Sequence, residues 1–394
     1  MTSAISSGPA RIRSGPTVGL LALTITAFAF GTTEFVIVGL LPRIAGTLGV
    51  SIPVAGFLVS GYALGVVIGA PLLTLVTARL PRKAFLVALV ILFLACTVLC
   101  AAAPWYWLLL VARIGGALAH GAFFGVATVV ATTLVPESRK GTAIAVVFTG
   151  LTVATVLGVP LGTALGEATD WRMTFWAVTL LGVIGLAGIV TLVPRQERTG
   201  TASVRGELAA FGNRRLWLAL ATAAFGHAGL FAALTYVNPI LTGVTGFAAG
   251  DISLLLVVVG AGMLVGNLVS GRIADRRPAA SVVATLACLL AVLVVAGWAF
   301  QSPVTAIAAL FGVGAAGFGT VAPLQRRILD EAGDGGRLAS AANVSALNVG
   351  NMLGSLLGGV AISAGFGLVS PFWVGAALTG AGLLLAVFAI GGSR

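Results

Sequence analysis

Charge is what this sequence has least of. Of its 394 residues only 8% are Asp, Glu, Lys or Arg, where a soluble domain carries about 25%. So few charges cannot wet the outside of a water-soluble fold of this length, so the outside must face lipid. Acidic residues number 11 and histidines two, and the two, His120 and His227, stand alone on different segments and make no metal motif. No nucleophile–base pair and no phosphate-binding loop accompanies them, so the chain does not read as an enzyme. Cysteines number three; Cys96, Cys100 and Cys288 all lie inside apolar runs, which excludes a disulfide framework and leaves them as small packing residues. Alternation of period two is also missing from the apolar stretches, and that excludes a β-barrel.

What is present is length and continuity of apolar sequence. Hydrophobic residues make up 59% of the chain, mean hydropathy is +1.11 and Gly occurs 54 times. Small residues of this kind let membrane helices approach closely. Runs long enough to span a bilayer fall at roughly 17–41, 53–77, 84–103, 105–134, 141–165, 172–193, 215–241, 252–273, 280–300, 304–325, 338–364 and 371–391. The first run follows Arg11 and Arg13 but is too long for a signal peptide, contains Glu34 and is followed by no small-residue cleavage site, so it reads as a retained helix. The longest polar stretch, from Pro194 to Arg215, divides the runs six and six. The expected organisation is a tail over 1–16, a six-helix bundle over 17–193, a linker over 194–214 and a second bundle over 215–394.

All of the 22 Lys and Arg except Arg43, Arg113 and Arg172 fall on the side that holds the N-terminus. The positive-inside rule then places both termini in the cytoplasm. The formal net charge of +11 belongs to short loops facing anionic lipid and not to a nucleic-acid surface. The halves also repeat. Pro42 and Pro239 lie 197 positions apart, as do Arg79 and Arg276, while Gly158 and Gly354, and Gly162 and Gly358, lie 196 apart. Two parallel six-helix repeats are an architecture of rocking transporters.

Four stretches carry a resemblance. The loop after the eighth run reads Gly271-Arg-Ile-Ala-Asp275-Arg276-Arg-Pro, and its first-half counterpart keeps Arg79, Arg82 and Lys83 but has Ala78 where the acid would stand. The fifth run contains Gly158-Val-Pro160-Leu-Gly162. The first run reads Gly31-Thr-Thr-Glu34-Phe-Val-Ile-Val-Gly39-Leu-Leu-Pro42, and the fourth runs from Arg113 through His120-Gly-Ala-Phe123-Phe124. Over nearly its whole length the chain resembles the major facilitator superfamily, in the bacterial drug:proton antiporter branch, and within it the chloramphenicol-resistance and sugar-efflux exporters of actinobacterial type. The resemblance implies an all-α fold of twelve transmembrane helices in two pseudo-symmetric bundles. In such a fold Arg79, Arg82, Lys83, Asp275 and Arg276 form a latch between helix ends, and Gly158, Pro160 and Gly162 form an exporter-type motif. The latch loops also read as plain topology-setting charge, and the glycines as close packing.

Ionisable groups at membrane depth are costly and functional by default. Glu34 lies about eight residues, roughly 11 Å, before the expected end of helix 1, and Arg113 lies at similar depth in helix 4. Two readings stand for them: proton exchange as hydration changes, with His120 able to join a relay, or a permanent Glu34–Arg113 pair that fixes helices 1 and 4. The positions 197 residues on, Phe231 and Leu310, are apolar, so coupling is expected in the first half and more of the substrate surface in the second. Helices 1, 4, 7 and 10 surround the pathway in the superfamily, which implies a lining drawn from Phe30, Phe123, Phe124, His227, Phe231, Tyr236, Asn238 and Phe318. Aromatics with sparse amides suit a mostly apolar ligand. On helix 11, Asn343, Asn348 and Asn351 suit interhelical hydrogen bonds.

The expected function is export of a small amphipathic compound, an antibiotic such as chloramphenicol, driven by the proton gradient alone and without a cofactor. A sugar, nucleoside or metabolite exporter or facilitator is the alternative. Expected partners are the substrate, protons and the lipid of a bacterial inner membrane, with the chain a monomer.

Overall fold

In lipid every backbone N–H and C=O must be satisfied within its own segment, so continuous apolar runs become helices. The structure, a computed structural model, describes residues 16–76, 81–136, 139–194, 210–276, 278–332 and 336–391. Among them are twelve helices long and apolar enough to cross a membrane. In chain order they are α1 (Pro16–Leu48), α2 (Ile52–Val76), α3 (Arg82–Ala102), α4 (Tyr106–Thr133) and α5, which runs Lys140–Val153, passes through a π-helical turn at Ala154–Gly158 and continues as Val159–Ala168. Next come α6 (Trp171–Leu192), α7 (Arg214–Thr235, continued by Val237–Ile240), α8 (Ile252–Arg276) and α9 (Pro278–Ala299). Last are α10 (Pro303–Phe318, continued by Val321–Ala332), α11 (Gly336–Ser363) and α12 (Ser370–Gly391). Side chains cap two of the starts: Asp170 accepts from Arg172 N at α6, and Asn213 accepts from Arg215 N at α7.

The structure corrects the expected end of the first helix. Proline removes one donor from the helical ladder but need not end a helix, and α1 continues through Pro42 to Leu48. Glu34 is therefore 14 residues from that end, about 21 Å, and lies near the middle of the helix. The chain then turns at Gly49 with φ 65°, and its counterpart 197 positions on, Gly246 after α7, turns with φ 83°. Both require the left-handed region that glycine enters freely.

The repeat reaches individual contacts. Gly158 and Gly162 of α5 lie against Thr32 and Val36 of α1, and Gly354 and Gly358 of α11 lie against Ala228 and Ala232 of α7. Each of these positions in the first half recurs 196 residues later. Without Cβ atoms the backbones can approach, which is how small residues hold membrane helices together. Large apolar side chains such as Leu161, Leu180, Val295 and Leu384 stay exposed, as a lipid-facing wall requires. Trp105, Trp107 and Trp298 stand exposed near the ends of α4 and α9, where indole rings suit the membrane–water boundary.

The core shows how the bundles meet. Away from the linker, one buried cluster joins both halves, from Val36–Ala45, Ala55–Val59 and Leu109 of the first to Leu230–Leu241, Ile252–Met263 and Val313 of the second. Toward the linker the core splits. One cluster, including Leu23, Phe30, Phe93 and Phe123, belongs to the first bundle alone. Another, including Leu216, Leu286, Leu324 and Ile328, belongs to the second. Between these levels Val344 of α11 packs on Tyr62, Val66 and Ala117 of the first bundle.

Candidate functional site

Polar contacts reinforce the joined end. The Asn238 amide of α7 donates to the Gly39 carbonyl of α1. Ser60 of α2 and Ser355 of α11 share a hydrogen bond of 2.5 Å, and Tyr236 Oη donates to the Ser355 carbonyl at 2.7 Å. Tyr236 fits here because Gly56 of α2 and Gly359 of α11 leave its phenol a slot that a Cβ at either position would fill. A void left between α1, α5, α7 and α8, lined by Phe35, Val159, Leu234 and Met263 among others, holds about 20 Å³, room for one water. The molecule is thus sealed at this end.

Below the seal lies the first half's polar group. Arg113 of α4 is 1% exposed, and its guanidinium bonds to backbone: Nη1 to Thr33 O at 2.6 Å, Nη2 to Glu34 O at 3.3 Å and Nε to Leu58 O at 3.1 Å. These carbonyls have a second lone pair beyond their helical bond, so one cation ties α4 to α1 and α2 without breaking either ladder. The permanent Glu34–Arg113 ion pair considered from the sequence is not formed. The Glu34 carboxylate instead stands 3.8 Å from His120 Nε2.

His120 is held on every side. Its Nδ1 is 2.9 Å from Tyr62 Oη, and its ring meets Phe30 edge-on at 5.5 Å and Phe124 at 5.0 Å. The Arg113 guanidinium lies over the Tyr62 ring, 4.5 Å from its centroid. Tyr62 was not among the residues singled out from the sequence. The available signal was scarcity: it is one of three tyrosines in the chain, set in the middle of an apolar run.

The structure brings some candidate lining residues together and sends others into the core. Phe30 and Phe123 have no exposed surface and stack at 4.8 Å, with Phe93 of α3 4.0 Å from Phe30. They are first-bundle core and not cavity wall. Tyr236 and Asn238 lie in the seal. Phe124 packs on Phe148 at 5.3 Å. In the second half His227, Phe231 and Phe318 form a group, with His227 5.2 Å from Phe231 and 6.0 Å from Phe318. Phe231 reaches Phe35 of α1 at 5.9 Å across the seam. Buried His227 Nδ1 and the side-chain oxygens of Asn343, Asn348 and Asn351 have no hydrogen-bond partner. The Asn343 amide group donates to Gln325 at 2.5 Å, and the Asn348 amide group to Val344 O at 3.0 Å.

Of the latch residues, Lys83 Nζ bonds to Val190 O at 2.7 Å and Val193 O at 2.5 Å, closing the last turn of α6. Arg82 begins α3 and Arg276 ends α8, exposed. Arg79 and the Asp275 side chain lie outside the described residues. Gly158 and Gly162 serve the α5–α1 contact, and buried Pro160 follows the π-helical turn.

Residues 23–346 match the family model of the Major Facilitator Superfamily. The chain belongs to that superfamily. Relatives agree over nearly full length. The Inner membrane transport protein YdhP of Escherichia coli (strain K12) is 39% identical over 366 residues, 93% of this chain and 94% of that one. The Chloramphenicol resistance protein of Streptomyces lividans is 36% identical over 376 residues, 93% and 95% of the two chains. The fold matches a bacterial homologue of the human lysosomal transporter Spinster, solved inward-facing and unoccupied, with TM-score 0.65, 17% identity and 95% of each chain covered. This Major Facilitator Superfamily chain is a multi-pass membrane transporter and not an enzyme.

Proposed function

We propose that this chain exports small amphipathic compounds, chloramphenicol among them, against their gradient by exchanging them for protons. The observation that supports this reading is Glu34, a mid-helix carboxylate just below the seal with no cation fixed on it. An ionised carboxylate in an apolar passage is costly and a protonated one is not. Glu34 would take a proton when its site faces the acidic side and lose it when the site faces the cytoplasm. A carrier open to one side at a time then moves protons inward as it moves substrate outward.

The linker end, where the bundles have separate cores, is the cytoplasmic end in this reading, supported by the placement of nearly all Lys and Arg. The sealed end faces outward, so the state described is one that loads substrate from inside. Arg113 keeps the site in register by its three bonds to α1 and α2 backbone. His227, Phe231 and Phe318 offer an apolar wall with one polar handle, which suits a ligand of mixed character. The Streptomyces lividans relative supports the choice of chloramphenicol as first substrate. The carrier works as a monomer in a bacterial inner membrane and draws on the proton gradient alone.

The test is accumulation of radiolabelled chloramphenicol in cells expressing the chain or Glu34→Gln, each with and without a protonophore. Low accumulation that rises with either the substitution or the protonophore is the expected result. Active export by Glu34→Gln would move coupling elsewhere, with His120 next in line.

A second reading, export of a sugar, nucleoside or other hydroxyl-rich metabolite, is favoured by the buried Asn348 and Asn351 oxygens that lack partners. Such atoms are costly unless something binds them. If the chain fails to lower chloramphenicol accumulation, a labelled sugar and nucleoside panel in the same cells decides for or against this reading.

A further inference from the structure

We infer that Tyr62 is a positioning residue for proton coupling: its hydroxyl donates to His120 Nδ1, fixes the ring as the Nε2–H tautomer and turns that N–H toward the Glu34 carboxylate. The inference rests on the coupling reading above and adds to it a residue and a direction.

The geometry starts from the ring's two nitrogens. A neutral imidazole carries a proton on one nitrogen and a lone pair on the other, and the partner of one decides the state of both. His120 has a different partner at each end, Tyr62 Oη 2.9 Å from Nδ1 and Glu34 Oε2 3.8 Å from Nε2. Two arrangements fit these neighbours, Tyr62 within hydrogen-bond distance of Nδ1 and Glu34 facing Nε2 at 3.8 Å. In the first, Tyr62 donates to Nδ1, and Nε2–H faces an ionised Glu34. In the second, a bare Nε2 faces a protonated Glu34, and Nδ1–H must donate to the phenol oxygen.

Arg113 decides between them. Its guanidinium lies over the Tyr62 ring, 4.5 Å from the centroid, and a cation on the ring face draws electron density from the phenol. That strengthens the hydroxyl as a donor and weakens its oxygen as an acceptor. The first arrangement is therefore favoured, and with it an N–H directed at the carboxylate. The other groups around Tyr62 do not compete: His120 also touches the Phe30 and Phe124 rings, α3 brings the thiol of Cys100, and α11 brings apolar Val344. Tyr62 is 2% exposed, so solvent does not substitute for its hydroxyl.

The test uses the full-length chain in lipid nanodiscs with 15N-labelled histidine. Only two histidines contribute, and His120→Asn identifies which signal is lost. At neutral pH, His120 should show a protonated Nε2 and an unprotonated Nδ1. In Tyr62→Phe, which keeps the ring and removes only the hydroxyl, the tautomer ratio should fall by about 3–10-fold, as loss of one net hydrogen bond implies. In proteoliposomes the pH profile of proton-driven export by this variant should differ from that of the unsubstituted chain, because the ring no longer holds its N–H toward Glu34. A purely structural Tyr62 would change the amount of folded transporter and leave both readouts in place.

A His120 protonated at Nδ1 in the unsubstituted chain overturns the inference without any variant. So does a Tyr62→Phe protein with unchanged tautomer and pH profile. Protonophore-insensitive export by the unsubstituted chain would sink the coupling reading instead, and the tautomer measurement would still decide the positioning by itself.

Discussion

The Asn238 side chain donates to the backbone carbonyl of Gly39 and so joins α7 to α1 across the seam between the bundles. Both partners sit beside the repeated prolines, Gly39 three residues before Pro42 and Asn238 just before Pro239. Proline interrupts the helical ladder, and here the interrupted stretches of the two halves meet. In the proposed alternating-access cycle, opening this end would break the bond, so it would weight the balance toward the sealed state.

Asn238→Ala is accordingly expected to loosen the seal without unfolding either bundle. One net hydrogen bond contributes about 1 kcal/mol, a shift of about fivefold in the ratio of sealed to open molecules. Spin labels at Thr47 and Ala249, both exposed at this end, placed in a chain with its native cysteines replaced, would report it. A longer distance component should grow in Asn238→Ala; an unchanged distribution would mean that packing alone holds the seal.

The two repeated glycine contacts should differ in tolerance. A Cβ at Gly354 would come within 2.8 Å of Ala232 N, a backbone atom, whereas one at Gly162 would meet the Val36 and Thr174 methyls at 2.8 and 3.0 Å. Side chains can rotate away and backbone cannot. Gly354→Ala should therefore destabilise by about 1–3 kcal/mol and Gly162→Ala by less, measured as thermal unfolding of the purified protein in detergent.

Arg113→Lys keeps the charge and loses the shape. A single ammonium cannot reach Thr33, Glu34 and Leu58 carbonyls at once, because lysine lacks the planar fork. Loss of charged hydrogen bonds at about 1.5–3 kcal/mol each should lower the melting temperature and abolish export together. Full export by Arg113→Lys would show that charge alone is what this position supplies.

Phe231, 197 positions after Glu34 in the chain, is buried against His227 and Phe35. Phe231→Ala is expected to change which compounds are exported, by about tenfold in apparent affinity for the bulkiest, while export stays protonophore-sensitive. Altered coupling with an unchanged substrate range would end the division of labour between the halves.

Much of this was legible in advance. Twelve spans stand as read, because a bilayer demands long uninterrupted apolar segments, and the glycine pairs of the repeat meet matching partners in both halves. Helix ends were less legible. Pro42 looked like a terminus and is not one, since the ladder resumes beyond it. The site was half legible: Glu34, Arg113 and His120 announced themselves as polar groups at depth, whereas Tyr62 did not, and Phe30 and Phe123 turned out to face the core.

The sequence by itself determined that this protein lives in a membrane, crosses it with twelve helices and is built of two similar halves. Those properties follow from composition and spacing, which need no knowledge of neighbours. Only the tertiary structure decided which face of each helix looks inward, that Arg113 bonds backbone and leaves Glu34 to His120, and that the molecule is sealed at one end. In lipid the outward face of a helix is as apolar as the inward one, so hydropathy carries no signal for orientation about the helix axis. That choice is made by close packing between helices far apart in the chain.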